Sequence, residues 1–209
     1  MRAGKIKIAD CSVAAIKIFI FPVHEKARKD FAERFRCNSV KGVGMAVKLE
    51  KHLSEIYNAM RTSGLFLTSG SSRVNTTTMS WGTFGRLWSR PTAIVPIRSR
   101  RYTYGLIEEL GAFTISVPRK DLMKELAAAG ALSGRDHDKF SELHLHPAKA
   151  RRVDTYIVAD CGLHLECRVV YKSSVVPESL NPEISKEIYG KGASPHTMFY
   201  GEILDLYET

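Results

Sequence analysis

The sequence predicts a mainly β fold with peripheral helices, arranged as an antiparallel barrel, on three observations. Short apolar or alternating segments recur along the chain, bounded by Gly, Pro or Ser as strands are. No strand–helix–strand repeat of the kind that builds a parallel sheet is visible. Leu163 to Tyr171 has a clear period of two, with Leu163, Leu165, Cys167, Val169 and Tyr171 on one face and His164, Glu166, Arg168 and Lys172 on the other, Val170 being the exception. Closing such strands into a barrel removes exposed sheet edges.

The elements follow from local signals. Val47 to Met60 reads as an amphipathic helix, with Leu49, Leu53, Ile56, Tyr57 and Met60 at helical spacing and Gly64 ending it. Leu65 to Ser69 is a short strand, and Thr76 to Trp81 a second, rich in β-branched residues. Thr92 to Ile97 is an apolar strand introduced by Pro91. A helix from about Thr103 to Leu110 stops at Gly111. Phe113 to Val117 is a strand closed by Pro118, and Asp121 to Ala129 a helix with Gly130 behind it. A last strand, about Met198 to Tyr207, follows a connection containing Gly and Pro.

Composition narrows the class. A chain of 209 residues is long enough for one well-buried domain and too short for two large ones. Its net charge of +9 is concentrated at the start: residues 1–44 hold 10 Lys/Arg against 4 Asp/Glu, and the rest 21 against 18. The body is nearly neutral, which argues against nucleic-acid binding. The apolar run Val13 to Phe21 is broken by Lys17 and is shorter than the about 20 residues a membrane span needs. No small-residue cleavage site follows it, so neither a secretory nor a membrane protein is expected, and the location is read as cytoplasmic. Cys11, Cys37, Cys161 and Cys167 are read as reduced thiols. Cys161, His164 and Cys167 cluster without a second pair at zinc spacing, so no metal site is expected. His24, His52, His144 and His146 have no partner pattern.

Three segments concentrate polar donors. In Asn75-Thr76-Thr77-Thr78-Met79-Ser80-Trp81-Gly82, strand alternation puts Asn75, Thr77, Met79 and Trp81 on one face. An amide, a hydroxyl, a thioether and an indole suit a planar heteroaromatic ring; the plainer reading is a Thr-rich strand with a core Trp. Arg98-Ser99-Arg100-Arg101-Tyr102-Thr103 precedes a helix, where free N–H groups and guanidinium forks bind phosphate. The plainer reading there is a basic turn with Thr103 as the helix cap. Ser133-Gly134-Arg135-Asp136-His137-Asp138-Lys139-Phe140 is a Gly turn carrying Ser, Arg and Lys before a helix starting near Asp138, or else an ordinary charged loop. No Gly-rich dinucleotide loop, nucleotidase-type phosphate loop, nucleophile elbow or metalloprotease helix is present.

Taken in order, these segments and His196-Thr197-Met198-Phe199-Tyr200-Gly201-Glu202-Ile203 resemble the FMN-binding split-barrel family of flavin reductases, most closely the subgroup containing flavoredoxin. The likeness runs from about Val47 to Glu208 and rests on the order of the motifs, since each alone is common. It implies a Greek-key split barrel, a homodimer, and one FMN per subunit near the dimer interface. Asn75, Thr77 and Trp81 would then line the flavin, with backbone around Met79 and Ser80 at its polar edge and Thr76 and Thr78 on the same strand. Arg98, Arg101 and Thr103, with Tyr102 beside them, would hold the phosphate and ribityl chain. Ser133, Gly134 and Lys139 would close that end, and His196 would approach from the last strands. The resemblance assigns no role to Arg100 or Arg135, and neither an obligate catalytic residue nor a metal is implied.

Two departures stand out. Many relatives carry a small residue where this chain has Trp81-Gly82, which would narrow access for a nicotinamide. Residues 1–44 have no counterpart in the family pattern. They are read either as a real extension or as lying upstream of a true start at Met45, preferred because charge and periodicity change there. The expected activity is electron transfer through bound FMN, with NAD(P)H as donor or, as in a flavoredoxin-like carrier, a partner redox protein. A rival of another class is a non-catalytic module that uses the basic arm on nucleic acid or membrane.

Overall fold

The computed structural model describes Met45 and residues 48–209. The expectations for residues 1–44, including Val13 to Phe21, Cys11, Cys37 and His24, lie outside the described residues. The first helix, α1, runs over 48–62. It buries Leu49, Ile56 and Met60 on one stripe and ends where Gly64, at φ +94, donates its N–H to the Ala59 carbonyl at 2.8 Å. A side chain at Gly64 would also stand 2.7 Å from Thr78 Cγ2.

The strands are β1 (Leu65–Ser69), β2 (Asn75–Met79), β3 (Thr83–Leu87), β4 (Arg90–Arg98), β5 (Ala112–Val117), β6 (Pro147–Lys149), β7 (Tyr156–Val158), β8 (Leu163–Ser174) and β9 (His196–Glu208). The further helices are α2 (Tyr102–Leu110), α3 (Met123–Ala131), α4 (Lys139–Glu142) and α5 (Pro182–Tyr189). Seven strands form one sheet in the order β2-β1-β5-β8-β9-β4-β3, every recorded pairing antiparallel. β8 and β9 insert between β4 and β5, so the connection carrying α2 joins two strands that are not neighbours. Among the described residues no ladder joins β2 to β3. Instead both ends of the sheet reach one core, Met79 from β2 and Phe84 from β3 joining Leu65, Val95, Phe113, Leu165 and Phe199.

A second cluster lies across β1. Phe66 points there and meets Leu122, Leu126, Ala129 and Phe140, while Leu65 and Leu67 face the main core. All five β1 residues are buried for this reason. The segment carrying β6 and β7 covers the other face of β8. Glu166, fully buried, accepts from the Arg151 and Arg152 backbone N–H groups at 2.7 and 2.5 Å and from the Tyr207 hydroxyl at 2.8 Å.

Several boundaries differ from the sequence reading. The strand expected to reach Trp81 stops at Met79, so Ser80 and Trp81 lie on the following turn. Gly130 is inside α3, not behind it, where it passes close to Thr78: a Cβ there would sit 3.3 Å away. β3, the β6–β7 hairpin and α5 had no expected counterpart. The polar face of β8 is also buried at His164 and Glu166, and register shifts between Glu166/Cys167 and Val169/Tyr171 break the simple alternation beyond them. Cys161 and Cys167 are buried free thiols, and His164 Nδ1 lies 3.0 Å from Ser116 Oγ. No helix among the described residues is long and apolar enough to cross a membrane.

Candidate functional site

The start of β2, the start of α2, the end of α3 and the start of α4 meet at one place. Asn75, at the head of β2, donates its amide to Thr103 Oγ1 at 2.7 Å, both residues being buried. Thr103 is therefore not the helix cap: the N-cap is Arg101, which makes no side-chain capping bond, so the first N–H groups of α2 lack that partner. Arg101 instead donates to the Gly130 carbonyl at 3.0 Å.

The last turn of α3 is the anchor. The Ala129 carbonyl there takes the Lys139 ammonium at 2.7 Å, and the Leu126 carbonyl, nearer the middle of the helix, takes the Thr78 hydroxyl. A helix C-terminus carries partial negative charge, so cations settle there. Lys139 also donates to the Thr76 carbonyl at 2.9 Å and is only 4% exposed. Burial, and secondarily the Arg101 guanidinium, push its pKa down to about 8. Asp138 caps α4 by accepting from the Phe140 and Ser141 N–H groups, which fixes where Lys139 begins that helix.

Around these groups lie two adjoining clefts. The smaller, of about 210 Å³, is lined by Asn75, Thr77, Tyr102, Thr103, Ser133 and Gly134 and by four cations, Arg100, Arg101, Arg135 and Lys139, with no carboxylate. Gly134 must be glycine here, since a Cβ would stand 2.0 Å from Asn75 Oδ1 and 2.7 Å from the Tyr102 ring. Arg135 donates to the Arg100 carbonyl at 3.2 Å and its guanidinium lies 5.5 Å from the Tyr102 ring centroid. The larger cleft, of about 600 Å³, shares Thr77, Arg100 and Arg101 with the smaller. Its apolar lining is Leu67, Met79, Pro96, Ile97 and Ile188; its polar lining includes Thr78, Ser80, Trp81, Arg98 and His196.

His196 is tied on both sides. β4 and β9 pair Arg98 directly with His196, and Arg98 Nε donates to His196 Nε2 at 3.2 Å. The Tyr189 hydroxyl is 2.9 Å from His196 Nδ1, and the Trp81 indole stands edge-on to the imidazole at 4.8 Å. Burial, then Arg98 and Arg101, push the His196 pKa down to about 4, so the ring is neutral at neutral pH.

The structure brings fourteen of the fifteen expected residues to the walls of these clefts: Asn75, Thr77, Thr78, Met79, Ser80, Trp81, Arg98, Arg101, Tyr102, Thr103, Ser133, Gly134, Lys139 and His196. Thr76 is the exception. Its hydroxyl turns away to bond Thr68 Oγ1 at 3.0 Å, and only its carbonyl reaches Lys139. Arg100 and Arg135, left without a role by the sequence, both line the smaller cleft. Sequence reasoning missed Leu67, Pro96, Ile97, Ile188 and Tyr189. The first three were legible only as core strand residues, and α5 is short, eight residues, with only Ile184 and Ile188 as an apolar pair at helical spacing.

A family model described as flavin reductase like domain matches residues 57–209. An uncharacterised protein of Archaeoglobus fulgidus is 33% identical over 138 residues, spanning 66% of this chain and 67% of that one. Among solved structures, the flavoredoxin of Desulfovibrio vulgaris (Miyazaki F) superposes with a TM-score of 0.56 at 27% identity over 70% of each chain. A Shewanella frigidimarina protein titled a putative flavin reductase with split barrel domain has a TM-score of 0.56 at 16% identity, covering 74% of this chain and 73% of that one, and this likeness speaks to the fold alone. With its seven-stranded antiparallel sheet and a domain match over most of its length, the chain belongs to the flavin reductase like domain family and has the split-barrel fold.

Proposed function

We propose that the chain binds FMN non-covalently in the two adjoining clefts and acts through it as an oxidoreductase. One observation carries this reading: the buried Lys139 ammonium faces a cleft holding three guanidinium groups and no carboxylate. A buried cation without a counter-charge is costly, and a phosphate monoester supplies charge and acceptor oxygens together. Lys139, Arg101, Ser133 and Thr103 would hold the phosphate and ribityl hydroxyls. The larger cleft suits the ring system, with an apolar lining from Leu67, Met79 and Ile97 and polar groups at Thr77, Ser80 and His196. When bound, FMN supplies reversible electron uptake and release; the protein orients it, excludes water and sets its potential.

The test is direct. The purified chain should be yellow, or become so with added FMN, at one flavin per chain, and should release FMN on denaturation. A colourless chain that ignores FMN in a fluorescence titration would sink the reading. The expected donor is NADH or NADPH, in a cytoplasmic homodimer with the site near its interface; sedimentation of the holoprotein checks the dimer.

A second reading is a flavoredoxin-like carrier reduced by another protein. Trp81 favours it: the indole lines the larger cleft, is 45% exposed and stands against His196, so that wall is aromatic and narrows access for a nicotinamide. Anaerobic stopped-flow mixing with NADH, NADPH and reduced ferredoxin-type proteins separates the two, since only the enzyme is bleached rapidly by a nicotinamide.

A further inference from the structure

None of the residues of α5 is buried, so packing does not tie this helix to the barrel. Polar contacts do. Arg98 Nη2 donates to the Ile188 carbonyl at 3.4 Å, and the Tyr189 hydroxyl meets His196 Nδ1 at 2.9 Å. Arg98 thus touches both His196, through Nε, and α5.

The proton on His196 can be placed from this geometry. A guanidinium only donates and keeps its protons, so Nε2, 3.2 Å from Arg98 Nε, must be the acceptor. A neutral imidazole has one donor and one acceptor nitrogen, so Nδ1 carries the hydrogen and donates it to the Tyr189 oxygen. The charged or titratable groups facing the ring are Arg98 from β4, Arg101 at the start of α2 and Tyr189 from α5. With its lone pair taken by a cation and two guanidinium groups nearby, the ring is ill suited to give or take a proton. It is well suited to hold Arg98 still. Among the described residues the Arg98 side chain has only these two hydrogen-bond partners, and it lines the larger cleft.

We propose that Tyr189 is a positioning residue: by accepting the Nδ1 proton of His196 it fixes the orientation of the ring whose Nε2 holds Arg98, and so keeps a guanidinium charge at the wall of the larger cleft. The effect of that charge on a ligand rests on reading the cleft as an FMN site. A fixed positive charge favours the more negative, reduced flavin over the oxidised one. Without the hydroxyl, Nδ1–H loses its acceptor, the ring is freer to turn, and Nε2 no longer holds Arg98 in place.

The experiment uses the full chain as wild type and Tyr189→Phe, with His196→Gln to assign the ring signals. Long-range nitrogen–proton spectra of ¹⁵N-histidine-labelled protein, with and without FMN at pH 7, read the tautomer. Redox titration of the FMN-loaded protein reads the preference for reduced over oxidised flavin. Wild type should show the Nδ1–H form, and in Tyr189→Phe the ring signals should move toward those of a released, tautomer-averaged imidazole. The preference for reduced FMN should fall about tenfold in that variant, equal to about 30 mV for a two-electron couple. A wild-type Nε2–H ring overturns the proposal whatever the variant does, as does a variant with tautomer and potential both unchanged. If the wild type takes up no FMN, the site reading fails, while the tautomer measurement still decides the role of Tyr189.

Discussion

The Lys139 ammonium donates to the carbonyl of Thr76 at 2.9 Å, joining the first residue of a four-residue helix to a strand 63 positions earlier. That contact puts a buried cation at the end of a cleft that contains no acid. It makes Lys139 the group through which pH acts on binding. Its pKa without ligand is pushed down to about 8 by burial and Arg101. FMN affinity should be flat from about pH 6.5 to 7.5, then weaken above about pH 8, approaching tenfold per pH unit as the ammonium is lost. Riboflavin, which lacks the phosphate, should show no such slope, and Lys139→Met should abolish it for FMN. Fluorescence titrations across pH decide this; an unchanged slope in Lys139→Met removes the residue from the site.

Arg101 is held by the Gly130 carbonyl at 3.0 Å beside the same cleft. Replacing it with Ala should weaken FMN retention by about 1.5–3 kcal/mol, the scale of a hydrogen bond to a charged group. Equilibrium dialysis against FMN measures it. Unaltered stoichiometry and affinity would mean that Arg101 does not touch the phosphate.

Gly134→Ala tests the shape of the cleft rather than its charge. The added methyl carbon falls 2.0 Å from Asn75 Oδ1, so Asn75 must move and its bond to Thr103 is disturbed. Overpacking of this kind costs about 1–3 kcal/mol. FMN affinity should drop at least about tenfold with little change in far-ultraviolet circular dichroism. Wild-type affinity would show that the loop relaxes freely.

His164 sets an acid limit on stability. It is fully buried beside Ser116, and burial pushes its pKa down to about 4. The unfolded chain, with an ordinary histidine pKa, binds more protons between pH 6.5 and 4, so stability falls as pH drops through that window. Below about pH 4 this contribution is fully lost. In urea melts, His164→Gln should flatten the stability profile by about one proton across that range; a profile as steep as wild type would assign the acid loss elsewhere, with His196, also near 4, the next group to test.

Much of the fold was legible where backbone punctuation is written in residue type. β1 has the expected bounds, Leu65 to Ser69, because Gly64 and Gly70 flank it at φ +94 and +100, conformations that glycine adopts without strain. α2 ends at Gly111, at φ 68, for the same reason. β3 was not legible, since Gly85, Arg86 and an exposed Thr83 dilute its alternation and Phe84 alone is buried. α5 was not legible because its eight residues carry only the Ile184–Ile188 pair at helical spacing, too little to mark a helix.

The candidate site divides along the same line. Residue chemistry in order along the chain determined the barrel class, the Arg-rich helix start and most of the polar residues that line the two clefts. Those signals are local: a hydroxyl, a guanidinium or a glycine declares its use within a few positions. Tertiary structure alone decided that Thr76 offers its carbonyl and not its hydroxyl, that Thr103 receives Asn75 instead of capping its helix, and that Arg98 stands against His196. Strand register and helix packing set these, and both are fixed by the burial of whole faces, which no short window of sequence contains.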